Sequence, residues 1–180
     1  MKRLAILGAS GHGKVVGDAA LRAGWDSVEF FDDAWPGLSA IGPWPVVGAS
    51  ADLLGAAARH DGVVVAIGDN ATRLRKQREL VEGRVALVAI VHPAAVVSPF
   101  AQVGAGSVIF AGAVLNPFAR LGSGCIVNTC ASVDHDCDLA DGVHVSPGAH
   151  LGGGVRVGEA SWIGIGVTVK HGVSIGAGGT

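Results

Sequence analysis

A chain of 180 residues with 13 basic and 15 acidic side chains has a net charge of -2, which leaves no basic field to gather phosphate backbones or anionic lipid. Nucleic acid and membrane surface are therefore excluded as expected partners. With 29 Gly, no Tyr and only 16% charged residues, the composition predicts many tight turns and little solvated helix surface.

The N-terminal segment MKRLAILGASGHGKVV starts basic, but its apolar run, Leu4 to Leu7, is far too short for a signal-peptide core. A cytoplasmic protein is expected. Lys2 to Leu7 reads as a buried strand, Gly8 to Gly13 as a Gly-rich turn, and Lys14 to Ala23 as a helix. A strand over Ser27 to Phe31 ends in Asp32-Asp33 and is followed by a Pro/Gly/Trp loop to Pro45. Next come a helix near Ala51 to Arg59, a strand over Gly62 to Ile67, the turn Gly68-Asp69-Asn70, a helix over Ala71 to Val81 and a strand over Val85 to Ile90. Alternating strands and helices predict a small parallel sheet that binds ligands beyond the carboxyl ends of its strands.

The turn reads GxxGxG rather than the GxGxxG of dinucleotide folds, so it is weak evidence alone. Convergence strengthens it, because three strand ends carry Gly8 to Gly13, Asp32-Asp33 and Gly68-Asp69-Asn70. A helix N-terminus suits phosphate and an acidic pair suits ribose hydroxyls or a base edge, which predicts a nucleotide or nucleotide-sugar pocket.

From Val91 the pattern changes to VHPAAV VSPFAQ VGAGSV IFAGAV LNPFAR LGSGCI VNTCAS VDHDCD LADGVH VSPGAH LGGGVR VGEASW IGIGVT VKHGVS IGAGGT. Every first position is Val, Ile or Leu, and every fifth is Ala, Ser, Cys, Val or Gly, a pattern that no helix or strand period produces. Fifteen hexads, three to a coil, predict five 18-residue coils of a triangular prism, with the first-position aliphatics inside. Two domains follow, residues 1–90 and residues 91–180. The first holds 10 of the 13 basic and 10 of the 15 acidic residues. The nearly chargeless prism is expected to associate with itself, as a trimer given its three-sided section. Residues 92–119 carry no charge, but Pro93, Ser98, Pro99, Gln102, Gly104, Gly106, Asn116 and Pro117 interrupt them too often for a spanning helix.

Cys125, Cys130 and Cys137 match no metal-ligand spacing and read as reduced thiols. Of the seven histidines, His60 and His92 read as surface or linker residues. His135, followed by Asp136, and His144 lie nine residues apart, half a coil, so they leave the prism from different sides. A site using both must form between subunits. His171 follows His135 by two coils, in the same column, with Gly153 between. No metal is expected, since no histidine pair has the five-residue spacing of hexad-repeat carbonic anhydrases.

The ordered set GASGHGK, FFDD, AIGDN followed by Arg73, NTCASVDHDC and HVSPGAHLGG resembles the sialic acid O-acetyltransferase-like family of sugar acyltransferases. That family includes bacterial N-acetyltransferases acting on UDP- or GDP-linked 4-amino sugars. The resemblance implies a homotrimer with a Rossmann-like nucleotide-sugar domain and a left-handed parallel β-helix that binds acetyl-CoA between subunits. By motif, it implies His135 as general base and Asp136 as the acid that orients it. It places His144 near the acetyl thioester, Gly153 and Ile165 along the CoA groove, and Ser10, Gly11, His12, Asp32, Asp33 and Gly68 on the nucleotide sugar. Asp136 stands where Glu is common in the family, so a shorter reach to the imidazole is expected. Members usually continue through further coils beyond the point matching Thr180, so the expectation is either a truncated chain or an adenine end of CoA held by less protein. The leading expectation is acetyl transfer to the amine of a nucleotide-linked amino sugar. The alternatives are a sugar O-acetyltransferase or a non-catalytic nucleotide-sugar-binding trimer.

Overall fold

A computed structural model describes residues 1–180 and divides them into two compact units, Met1–Ile90 and Val91–Thr180. In the first unit the elements are β1 (Arg3–Leu7), α1 (Gly11–Arg22), β2 (Ser27–Phe31), β3 (Ala40–Ile41), β4 (Trp44–Gly48), α2 (Ser50–Ala56), β5 (Gly62–Val65) and α3 (Asn70–Glu82). The sheet order is β3-β4-β2-β1-β5, and every pairing is parallel except the edge pair β3–β4. The apolar runs of β1 and β5 are buried from end to end after Arg3, as parallel strands covered on both faces require.

Three expectations change. Helix α1 starts at Gly11, three residues early, because Gly13 must pack against the turn: a Cβ there would meet the Gly8 carbonyl oxygen. The predicted loop to Pro45 contains β3 and β4. Pro45 hides that strand from propensity, yet it fits because the pairing with β2 begins only at Val46. Val85 to Ile90 is not a strand of the sheet. It makes a single bridge, Val63 to Leu87, and Val88 packs where a side chain on Gly62 would stand.

His60 is no surface residue: its side chain is 1% exposed. Its Nδ1 lies 3.0 Å from the Ala56 carbonyl and its Nε2 lies 2.9 Å from Glu29, which also accepts from Arg3 at 2.8 Å. These bonds hold Glu29 below the usual carboxylate range against the opposing effect of burial.

In the second unit each hexad contributes a two-residue strand from its sixth position and the next hexad's first. Partners stand 18 residues apart in parallel register, and three five-stranded sheets result. The first face carries Ile90–Val91, Val108–Ile109, Ile126–Val127, His144–Val145 and Trp162–Ile163. The second runs from Val96–Val97 through Ser132–Val133 to Thr168–Val169, and the third from Gln102–Val103 through Asp138–Leu139 to Ser174–Ile175. First-position aliphatics from Ile109 to Ile163 and small fifth-position residues from Ala113 to Val155 form one buried core.

Each corner turns at the fourth position, which is left-handed in every hexad from Gly106 onward, with φ from 55° at Cys130 to 71° at Gly112. Most of these residues are Gly, which adopts such angles without penalty. Phe118, Cys130, Asp136 and Ala160 adopt them at a cost of roughly 1–2 kcal/mol each. No helix of the chain is long and apolar enough to cross a membrane.

Core and corner make separable demands. Leu139→Ala, at a fully packed first position, is expected to destabilise by about 2–5 kcal/mol. Gly148→Ala, at φ 64° with nothing within 4 Å of a Cβ, is expected to cost only the roughly 1–2 kcal/mol of backbone strain. Urea unfolding of both variants checks the order, and an equal loss would contradict it.

Candidate active site

The carboxyl ends of β1, β2 and β5 lie side by side, since Leu7 pairs with Phe31 on one side and Val65 on the other. They open into a cleft of about 320 Å³ whose lining includes Gly8, Ser10, Asp32, Asp33, Gly68 and Arg75. Four of the six residues assigned to the nucleotide sugar, Ser10, Asp32, Asp33 and Gly68, meet there. Gly11 and His12, the first residues of α1, do not line it.

The two aspartates do different work. Asp32 accepts from the Ala9 N–H at 2.7 Å and the Ala34 N–H at 2.9 Å, so both its oxygens tie the Gly-rich turn to the end of β2. Asp33 accepts from the Ser50 N–H at 2.8 Å, and hydrogen bonding from Ser50 lowers its pKa, with Lys76 reinforcing the effect. His12 is held neutral by burial, with the Arg73 cation adding to it, and its pKa falls to about 4.

Sequence reasoning missed the cations. Arg75 and Lys76 line the cleft from α3, and Thr72 lies one turn before Lys76. Arg73, 1% exposed, donates to the Ile67 carbonyl at 2.9 Å, the Gly68 carbonyl at 3.0 Å and the Asn70 side chain at 2.7 Å, which fixes the loop forming the cleft wall. Only the run Arg73-Leu74-Arg75-Lys76 at the start of a helix could have signalled this, and charge runs on helices are usually solvated faces.

In the second unit His135 and Asp136 occupy the second corner, each with a side chain 62% exposed. Nδ1 of His135 lies 2.8 Å from Asp136 Oδ2, so the shorter aspartate reaches the ring without difficulty. Asp134 accepts from the His135 N–H at 2.8 Å and from Asn116, one coil earlier, at 2.7 Å. The imidazole pKa is raised, first by the bond to Asp136 and then by the negative charge of Asp134. With Nδ1–H engaged by a carboxylate, Nε2 of the neutral ring is the basic atom.

His144 stands on the first face, apart from the second-face strand that leads into His135. It is 6% exposed, and its ring stacks on Trp162 with centroids 4.6 Å apart. Asn128 Oδ1 accepts from the Thr129 N–H, so its Nδ2 donates to His144 Nε2 at 3.1 Å and sets the ring tautomer. Trp162 is anchored in turn on the Ser146 hydroxyl at 2.7 Å. Ile165 sits on the first corner, 80% exposed. Gly153 lies one coil beyond His135, against its ring.

Comparison with known proteins gives this arrangement a family. Residues 3–80 match the model of the PglD N-terminal domain. The acetyltransferase domain of PglB from Neisseria gonorrhoeae, solved in complex with acetyl coenzyme A, is 39% identical, with a TM-score of 0.94 over 98% of this chain and 86% of that one. PerB from Caulobacter crescentus, solved in complex with CoA and GDP-perosamine, is 37% identical, with a TM-score of 0.87 over 98% of this chain and 84% of that one. WeeI from Acinetobacter baumannii, 24% identical with a TM-score of 0.70 over 99% of this chain and 95% of its own, shares the fold. A Rossmann-like parallel α/β unit followed by a left-handed parallel β-helix, aligned almost end to end with these proteins, places the chain in the hexapeptide-repeat family of sugar N-acetyltransferases.

Proposed function

We propose that the protein moves the acetyl group of acetyl-CoA to the amine of a nucleotide-linked amino sugar, as a cytoplasmic homotrimer with active sites between subunits. The observation that carries the reading is the His135–Asp136 pair: a solvent-facing imidazole, oriented at 2.8 Å by a carboxylate, in a chain 39% identical to a protein solved with acetyl coenzyme A. PerB, with CoA and GDP-perosamine bound, supports the acceptor class.

Each residue then has a task. Arg75 and Lys76 meet the diphosphate, with Ser10 and Gly68 as cleft walls, and Asp33 accepts from a ribose hydroxyl or base. Gly11 and His12 contribute from the first turn of α1. In the second unit, His144 and Ile165 are assigned to the acetyl-CoA groove.

For the chemistry, the neutral amine attacks the thioester carbonyl and Nε2 of His135 takes the proton that the nitrogen sheds as the C–N bond forms. The C–S bond breaks, CoA leaves as thiolate, and the imidazolium returns the proton to it. Asp136 stabilises the imidazolium in between.

Purified protein is expected to release CoA from acetyl-CoA with UDP-, GDP- or dTDP-linked amino sugars. Turnover only with a hydroxyl acceptor such as free sialic acid would overturn this. His135→Ala is expected to lower kcat by roughly 10²–10⁴. Because the base must be neutral and its pKa is raised, kcat/KM should climb with pH through a point above the ordinary imidazole value. Asp136→Asn removes the charge that favours the imidazolium, so the rise should move to lower pH while the plateau falls. A rise that stays in place in Asp136→Asn counts against His135 as the titrating base.

The trimer rests on the low charge of the second unit and its exposed apolar side chains, Val96, Phe100, Phe118 and Ile165. Sedimentation at micromolar concentration is expected to give a trimer, and a stable monomer would sink that assignment.

A further inference from the structure

Three successive glycines turn the second corner in the fourth coil, Gly152, Gly153 and Gly154, and their physical reasons differ. A Cβ on Gly152 would stand 2.8 Å from the His171 nitrogen and 3.1 Å from the Val169 carbonyl oxygen, so the backbone of the next coil excludes a side chain. Gly154 has φ 69°, the left-handed angle of the fourth position. Gly153 is under neither constraint. Its φ lies outside the left-handed region, and the three nearest atoms a Cβ would meet all belong to one imidazole: His135 Nε2 at 2.5 Å, Cε1 at 2.6 Å and Cδ2 at 3.1 Å.

We infer that Gly153 is a positioning residue for acyl transfer: its missing side chain is the space in which the His135 ring lies, with Nδ1 on Asp136 and Nε2 over the next coil. The inference rests on the proposed role of His135 and differs from a contact to CoA, because Gly153 acts here through the imidazole alone.

The geometry explains why the space matters. Asp134 clamps the His135 backbone, and Asp136 lies on the following residue of the corner. The ring orientation that bonds Asp136 lays its Nε2 edge across position 153. The same corner position holds His135, Pro117 and Pro99 in the three preceding coils, so side chains are compatible with its backbone. An alanine at 153 would therefore fold, and the ring, 62% exposed, would swing outward into solvent to relieve the clash. That motion breaks the 2.8 Å bond to Asp136 and carries the basic nitrogen away from its working position.

The test is Gly153→Ala in the full-length protein, read in two ways. Ring ¹H–¹⁵N NMR titration should show the His135 pKa moving down toward the ordinary imidazole value, with the melting temperature nearly unchanged. Steady-state kinetics should show kcat reduced by roughly 10- to 100-fold with the KM for acetyl-CoA nearly constant. In a His135→Ala background the same substitution should have no further effect on kcat. Gly154→Ala is the comparator: it should lose stability to backbone strain and leave the His135 titration in place.

An unchanged His135 titration in Gly153→Ala would overturn the inference. So would a rise in the KM for acetyl-CoA of equal size with and without His135. The titration needs no acceptor, so failure of the acetyl-transfer reading and failure of this inference are separable.

Discussion

The constraint on which the second unit depends is the 18-residue register. From Val108 onward every strand stacks on the strand 18 residues earlier, without slippage across the three sheets. A first-position aliphatic therefore always meets a first-position aliphatic, and a corner always meets a corner. The same register lines up the chemistry. Asn116 reaches Asp134 because they are 18 apart, His144 reaches Trp162 for the same reason, and Gly153 receives the ring of His135. An insertion of one residue between any of these pairs would turn core positions outward and separate the pairs together.

Such a repeat is legible because its physical demand is strict. An aliphatic at each first position and a small residue at each fifth are properties of residue type alone, so Val91 to Thr180 could be divided into coils by reading. The placement of His135 and His144 on different sides of the prism followed, since they lie half a coil apart. The first unit was less legible, because its decisive features are tertiary. β4 contains Pro45, which argues against a strand until β2 supplies a partner that begins one residue later. His60 looked like a linker residue, and only the fold brings Glu29 and the Ala56 carbonyl to its two nitrogens. Arg75 and Lys76 carry no signal in the sequence pattern until α3 turns their face toward the cleft.

The two aspartates at the end of β2 show the limit of motif reading. As a pair they suggested a joint role, yet the two oxygens of Asp32 are committed to backbone N–H groups that build the turn, whereas Asp33 is tied to Ser50 at the start of α2. Adjacent residues on a strand end point in different directions, so identity of type says little about identity of task. Asp32 shapes the Gly-rich turn while Asp33 anchors to Ser50, so the two can be altered separately.

The aspartate at position 136 shows how the fold and the chemistry are reconciled in one residue. The corner demands a left-handed backbone, which Gly meets freely and most other residues meet at a cost. The proposed catalytic pair demands a carboxylate one residue after the imidazole. Asp satisfies both better than Glu, because its short polar side chain tolerates positive φ and at φ 58° its oxygen stands 2.8 Å from Nδ1. The reach that looked short from the sequence is sufficient because the corner itself turns the carboxylate toward the ring. What remains is room for the ring, and the register supplies that one coil later, at the one glycine of the three whose nearest neighbours are side-chain rather than backbone atoms. The strain accepted at Asp136 and the side chain omitted at Gly153 are two parts of one arrangement that fixes a single nitrogen.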